Sequence, residues 1–500
     1  MRPTLHAPDR SRCGIPLCLL AVLLPAACQQ APPTGPTPPA NYSMHAAAPV
    51  VNSDADPGDG VCDADECTLR EAIAAAAPGD EITFDPSLSG STIVLNGTQL
   101  SIVRDLTITG PGASLLTVDA NLASRLLTVN AGTTVRISGL TLTRGFNALG
   151  GGISGINTGG NLTLEDCEIR DNQSSGGSVI RSLGALTFRR CSAIGNTGAN
   201  LILVSAGSPS ISVEASTLRQ NAATSNLLSL GPAGAIQTST ISGNTTGRYL
   251  IGAGTIRNST ITDNTSSLAT LDRPPPPPAV SSSILAGNSG PLCDASFVSG
   301  GQNVLDPLAG SEDICSPTFA PDDQFISAAA LVTTVLSPLA DNGGPTWTHA
   351  LLDPAVTGLP NPALDKGSCT ASGVTTDQRG DPRPTDFPAV ADTHDGCDVG
   401  AFELQLPVAP PEPCTLADLA GRVDALREEG VLNKGQSNAL GRKLTQAEKH
   451  ASKGKTADAQ AALEEFVQQV SALQAEGVLT EEQAAALSGC AAEAAAGLAA

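Results

Sequence analysis

Asp341, His349, Asp377, Arg379, Asp398 and Glu403 are the one polar constellation in this chain with the residue types of an active site. Carboxylates and an imidazole can act as acid and base, and an arginine can hold an anionic substrate group. The same residues have a structural reading. Arg379 and Arg383 can pair with Asp377, Asp398 or Glu403 and tie down an irregular cap. One Trp and two Tyr provide few stacking platforms for sugars, and the rest of the chain repeats few carboxylates. No catalytic residue is therefore assigned, and Asp377, Arg379, Asp398 and Glu403 stand as weak candidates.

Cysteine supplies a second chemistry. Of 13 cysteines, Cys13 and Cys18 lie in an N-terminal targeting segment and Cys28 borders it. The ten that remain suit an oxidising compartment. Neighbour pairing gives Cys62–Cys67, Cys167–Cys191, Cys293–Cys315, Cys369–Cys397 and Cys414–Cys490. No spacing fits a zinc site, and His45, His349, His394 and His450 are scattered, so neither metal nor cofactor is expected. Asp54, Asp56 and Asp59-Gly60 are spaced wrongly for an EF-hand; a capping turn closed by Cys62–Cys67 is the better reading.

The elements that must position these groups are repeats. Asn172, Asn196, Asn221, Asn244, Asn264 and Asn288 recur at gaps of 24, 25, 23, 20 and 24 residues. Eight residues before each is Leu164, Phe188, Val213, Ile236, Ile256 or Val280. Five before is Cys167, Cys191, Ser216, Ser239, Ser259 or Ser283. Three before is Ile169, Leu218, Ile241, Ile261 or Leu285, with Ala193 the one departure. A shared period with fixed offsets marks stacked units, each burying its face against its neighbours. Asn161–Leu164 and Ser210–Val213 alternate as strands do. The unit is too short for a crossover helix, so the fold class is all-β, a right-handed parallel β-helix. Stacked Asn side chains can hydrogen-bond along it, and Asn tolerates the left-handed backbone that corners need. Cys167 and Cys191 should stack on adjacent coils, within disulfide reach. We expect about 12 to 14 coils, roughly 60 Å long at ~4.8 Å per layer. Pro274–Pro278 reads as a loop bulging from one corner, with the next repeat resuming at Val280.

The two ends differ. Arg2, Arg10 and Arg12 precede an apolar run, Ile15–Leu24, too short to span a bilayer, so residues 1–27 read as a signal peptide. Without them the chain keeps 24 basic and 48 acidic residues, a net charge of −24. That surface repels nucleic acid. Residues 28–50 are a Pro- and Ala-rich tether. Cys67–Ile73 reads as a short amphipathic helix in an N-terminal cap over 51–85. The coil body is expected over 86–335, its C-terminal end over 336–406 and a linker over 407–414. Residues 415–500 switch to helical spacing. Ala425–Leu432 recurs as Ala472–Leu479, and Gly430, Gly454 and Gly477 are natural helix stops. They predict a four-helix all-α bundle closed by Cys414–Cys490.

Several motifs resemble known families. Leu24-Pro25-Ala26-Ala27-Cys28 resembles a bacterial lipobox, with Pro25 in a position usually held by Leu. The resemblance implies acylation of Cys28, and Gln29 after it implies the outer membrane. Gly150-Gly151-Gly152-Ile153 followed by Ile169-Arg170-Asp171-Asn172 resembles the repeats of polymorphic outer-membrane proteins, with Ile or Leu replacing Phe. Cys67–Ala72 resembles the Cys-Ser-Leu-Arg-Glu-Ala signature of bacterial surface proteins. Asp341–Ala350, Asp365–Gly367, Asp377–Gly380, Arg383-Pro384 and Cys397–Glu403, in that order, resemble the choice-of-anchor Q family, which implies a β-helical body. Residues 415–500 resemble the FIMAH helical module of secreted bacterial proteins. Together these imply a lipid-anchored or secreted exterior protein. Its expected partners are a membrane, through the lipid, and an extracellular glycan or surface protein. The leading expectation is a non-catalytic rod for adhesion or binding. The rivals are a carbohydrate-active enzyme (β-helices host polysaccharide lyases and hydrolases) and a purely structural envelope protein.

Overall fold

The computed structural model describes residues 48–147, 156–204, 211–272, 276–294, 296–306, 318–387, 390–405 and 414–498. The signal segment, Cys28 and most of the tether lie outside them. So do Gly150–Ile153, Pro274, Pro275, Cys315 and most of the 407–414 linker.

Residues 81–325 form a parallel β-solenoid of about 9 turns, fewer than the 12 to 14 expected. The reason is that the chain leaves the coil after Phe325 and turns back along its flank. A full coil contains Asn161–Glu165, Glu168–Arg170, Gln173–Ser174 and Ser178–Ser182. Its strands pair in register with the next coil, Leu162 on Leu186, Leu164 on Phe188 and Ile169 on Ala193. A one-residue slip would turn every apolar side chain outward, so burial fixes the register. The positions eight before each Asn are all buried to 1% exposure or less. Ala193, the departure from pattern, is buried with them.

The Asn positions form one continuous ladder. Each Asn Nδ2 donates to the next Asn Oδ1 at 2.9 Å from Asn172 to Asn288. Each Oδ1 from Asn196 to Asn288 also accepts the backbone N–H of the Asn before it. The left-handed backbone falls elsewhere than expected. It is the residue before each Asn that adopts positive φ: Asp171, Gln220 and Asp263 at 55° to 57°, and Gly195, Gly243 and Gly287. Asn is selected here for its amide, and its neighbour turns the corner.

A second ladder runs through the positions five before. Ser216 Oγ accepts from Cys191 N, Ser239 Oγ from Ser216 N, and Ser259 Oγ from Ser239 N. Cys191 Sγ accepts from Cys167 N at 3.3 Å in the same way. The two cysteines stack on adjacent coils as expected, but they are free thiols and not a disulfide. Each thiol points at the carbonyl two residues back, as the serine hydroxyls do, and so fills a ladder position. Cys62–Cys67, Cys369–Cys397 and Cys414–Cys490 are bonded. Cys293 is also disulfide-bonded.

Helix Leu69–Ala75 forms part of the N-terminal cap. Thr68 and Glu71 make a reciprocal capping box. Asp56 grips Arg70 through both oxygens, so the acidic loop is an anchor. At the other end, four helices span Leu416–Glu428, Lys434–Ala451, Thr456–Ala475 and Glu481–Gly497. Their apolar stripes meet at Leu419, Leu440, Phe466, Val470 and Leu487. Gly430, Gly454 and Gly477 take positive φ and stop the first three helices.

Candidate functional site

Between the N–terminal ladder of Ser and Cys and the Asn ladder runs a flank of three-residue strands. The middle residue points in (Leu142, Ile169, Ala193, Leu218), and the outer two point away from the core. One outer row, in register from coil to coil, is Thr117, Thr141, Glu168, Ser192, Thr217, Thr240 and Thr260. Residues 326–387 and 390–405 lie as a strap over part of this row.

Gln378 fastens the strap. Its Oε1 accepts from Thr240 Oγ1 at 2.6 Å, and its Nε2 lies 2.7 Å from Thr217 Oγ1, 2.8 Å from Thr346 Oγ1 and 3.0 Å from the Trp347 carbonyl. Thr260 Oγ1 accepts from Ala401 N, and Ser282 Oγ accepts from Ser368 N. His349 is buried against the same flank. Its Nδ1 lies 2.7 Å from the Ser337 carbonyl and its Nε2 2.9 Å from Ser242 Oγ, which fits an Nδ1–H donor and an Nε2 acceptor. Burial pushes its proton affinity below the ordinary histidine value.

The six residues proposed from sequence do not converge on a cavity as an acid, a base and a substrate arginine. Asp377 accepts from Arg379 Nε and from the N–H of Arg379, Asp381 and Glu403. Arg379 donates on to the Glu403 carbonyl and stacks on the Phe402 ring at 3.7 Å. Arg383 and Glu403 form an ion pair with both side chains fully buried. Glu403 also accepts from Asp398 N and Thr385 N, and Asp398 accepts from Asp365 N and Leu404 N. Burial raises the proton affinity of Asp398 and Glu403 above the usual carboxylate range. Burial and the neighbouring Asp392, Asp386 and Glu403 push Asp365 up to about 6. These groups spend their hydrogen-bonding capacity on the strap itself. Asp341 stands apart, exposed in a turn where it caps Gly343 N.

The strap leaves the N-terminal part of the flank open, and sequence reasoning missed what lies there. A cavity of about 530 Å³ is lined by Ser114, Thr117, Thr141, Glu168, Arg170 and Ser192, with Pro345 of the strap at its border. A second, also about 530 Å³, lies between the corner residues Arg189, Glu214 and Gln237 and the strap loop Gly373–Gln378. Arg190 lines both, so the two are neighbours, and the first runs along successive coils as a trough. Arg189 and Arg190 meet at Glu165, which lines neither hollow and is 2% exposed although it sits on an outward row. Arg136, Arg189 and Arg190 all pair with it, and Arg190 also holds Asp166 at 2.8 Å. Burial pushes the Glu165 carboxyl up, and the three guanidinium groups outweigh burial and hold it below its ordinary value. The available signal was the periodicity itself. Outward residues at the repeat offsets, Glu165–Arg189 and Asp166–Arg190, lie 24 apart, one coil.

Another cleft, about 910 Å³, opens between helices Leu416–Glu428 and Lys434–Ala451 and is lined largely by small and polar side chains. The family comparison bears on this part of the chain. Residues 416–496, which take in the four helices to within one residue of their end, match the FIMAH domain. No curated protein matches the chain.

Proposed function

We propose that this chain is a non-catalytic surface protein, held by a lipid on Cys28, that presents its β-helix as a rod for adhesion or for binding a glycan or protein. The observation that carries this reading is the fate of the candidate catalytic groups. Asp377, Arg379, Asp398 and Glu403 are hydrogen-bonded to one another and to the strap backbone. A catalytic carboxylate needs free capacity towards substrate, and these have spent theirs on fastening. The trough on the open flank has the opposite character, a hollow lined mainly by polar side chains, several of them half-buried or exposed to solvent. A repeat rod suits extended binding because its surface is built from successive equivalent layers. The FIMAH match supports a separate terminal module, for which a docking role is part of the proposal.

Residues 29–500 incubated with a polysaccharide panel, scored for binding, for unsaturated products and for new reducing ends, test the reading. Binding without turnover is the expected result. Turnover that disappears in Asp377→Ala with unchanged circular dichroism would replace it with an enzyme.

A further inference from the structure

Resting on the binding reading above, we infer that the trough on the open flank binds an uncharged polysaccharide strand, with Trp347 as its stacking platform. The trough follows the layers of the coil. Thr117, Thr141, Glu168 and Ser192 repeat one beside the next, roughly 15 Å at about 4.8 Å per layer. A periodic, elongated hollow lined by hydroxyls and ions fits a polymer of hydroxyl-bearing units better than a compact or apolar molecule.

Charge narrows the class. The chain carries a formal net charge of −22, which by itself disfavours an anionic polymer. Each arginine that lines the two hollows has a carboxylate partner. Arg170 pairs with Glu168 at 3.2 Å, Arg190 with Asp166 and Glu165, and Arg189 with Glu165. An anion would compete with these carboxylates for the same exposed guanidinium groups, so it gains little from them. A neutral hydroxyl-rich chain can use the remaining lone pairs and N–H groups without disturbing them.

Trp347, the single tryptophan of the chain, supplies the apolar face. It is 40% exposed, two residues from Pro345 at the trough's border. Its backbone is immobilised, since its carbonyl accepts from Thr217 Oγ1 and from Gln378 Nε2. The ring lies against the Arg219 guanidinium, 4.3 Å from carbon to ring centre, on the coil next to Ser192 and Ile194. A large, rigid, partly exposed aromatic ring presents contact area at low entropic cost, and the C–H face of a pyranose ring matches the part that Arg219 does not cover.

Because the chain has one tryptophan, its fluorescence reports on this place alone. Residues 29–500 are titrated with dextran, soluble β-glucan and galactomannan as neutral probes, and with alginate as the anionic one. We expect a fluorescence change with at least one neutral polymer, unaltered by added salt. Measured by isothermal titration calorimetry, which needs no fluorophore, Trp347→Ala and Ser192→Tyr, which fills the trough from a half-buried outward position, should each weaken binding about tenfold or more, a loss of ~1.4 kcal/mol. Unchanged melting of both variants would show that the fold is intact. Binding to alginate alone, abolished by salt, overturns the inference. Neutral-polymer binding that survives in both variants also overturns it while leaving the binding function standing. Silence with every polymer, in fluorescence and in calorimetry alike, overturns the inference and leaves a protein partner for the binding function.

Discussion

Asn244 Oδ1 accepts two hydrogen bonds from a single residue of the preceding coil, from Asn221 N and from Asn221 Nδ2, each at 2.9 Å. Asn244 then donates its own Nδ2 to Asn264 Oδ1 and to the Leu218 carbonyl. One side chain thus satisfies groups on three coils, all sealed from water. Asn244→Ala orphans two buried donors and a carbonyl together. At about 1–3 kcal/mol for each unsatisfied buried group, partly relieved by relaxation, the expected loss is about 3 kcal/mol. Denaturant unfolding measures it, and a loss below about 1 kcal/mol would mean that the ladder is ornamental.

The thiol ladder makes the opposite forecast. Cys191 Sγ occupies the site that Ser216, Ser239 and Ser259 fill with hydroxyls. Cys191→Ser should therefore be tolerated within about 1 kcal/mol, whereas Cys191→Ala leaves Cys167 N without its acceptor and costs about 1–2 kcal/mol. Both thiols are buried, so thiol reagents should reach them only on unfolding. Peptide mapping without reductant that finds Cys167 joined to Cys191 would contradict the ladder role.

The coil was legible in the sequence because its core and its ladders obey the same period. Leu164, Phe188 and Val213 announce the inner face, and the Asn that follow announce the corner. The number of turns was not legible, since the apolar residues after Phe325 continue at similar density. Leu331, Val335, Leu351 and Phe402 pack on the outside of the coil, against Ile284 and Val304. Composition does not distinguish burial inside a coil from burial beneath a strap. The candidate residues were found in the right neighbourhood, and their pairing, Arg379 with Asp377 and Arg383 with Glu403, followed the structural reading. Gln378 was passed over because an amide carries no charge signal, and its role depends on Thr217 and Thr240, far away in the chain.

That role is measurable. Gln378→Ala removes an acceptor and two donors at a buried contact where hydroxyls of Thr217, Thr240 and Thr346 meet. The strap should loosen by about 2–3 kcal/mol while the coil holds. Hydrogen exchange should rise over residues 337–405 and stay unchanged in the strands Asn161–Glu165 and Leu186–Arg189. Uniform acceleration in both regions would show that strap and coil unfold as one.

The helical bundle offers a simpler case. Cys414 and Cys490 are 76 residues apart, so their bond closes nearly the whole bundle. A loop of that size constrains the unfolded chain by about 4 kcal/mol. Replacing both with Ser should lower the stability of the bundle by up to that amount and leave the coil unaffected. Helical circular dichroism followed through urea titration reads it directly, and an unchanged midpoint would assign the bundle's stability to Leu440, Phe466 and Val470 alone.

The strap also carries two opposed pH dependences. His349 binds its proton less tightly when folded than at the reference value of 6.5, because burial penalises the imidazolium. The unfolded chain takes up more protons there, so the stability that His349 contributes is present above about pH 6.5 and lost as pH falls. Asp365 runs the other way. Its folded pKa is raised from 3.8 to about 6 by burial and by Asp392, Asp386 and Glu403. Its contribution is present in acid and lost as pH rises through about 6, and Asp398 and Glu403 share that direction. Asp365→Asn keeps an acceptor for Phe387 N and removes the buried charge. It should raise the melting temperature at neutral pH by about 2 °C or more and flatten the decline between about pH 4 and 6. His349→Asn should instead remove the loss on acidification below about pH 6.5, at a cost in stability at neutral pH from the broken Ser242 contact. Melting curves across this range separate the two, and an Asp365→Asn protein less stable than the parent at pH 7 would show that the carboxylate is needed in its charged form.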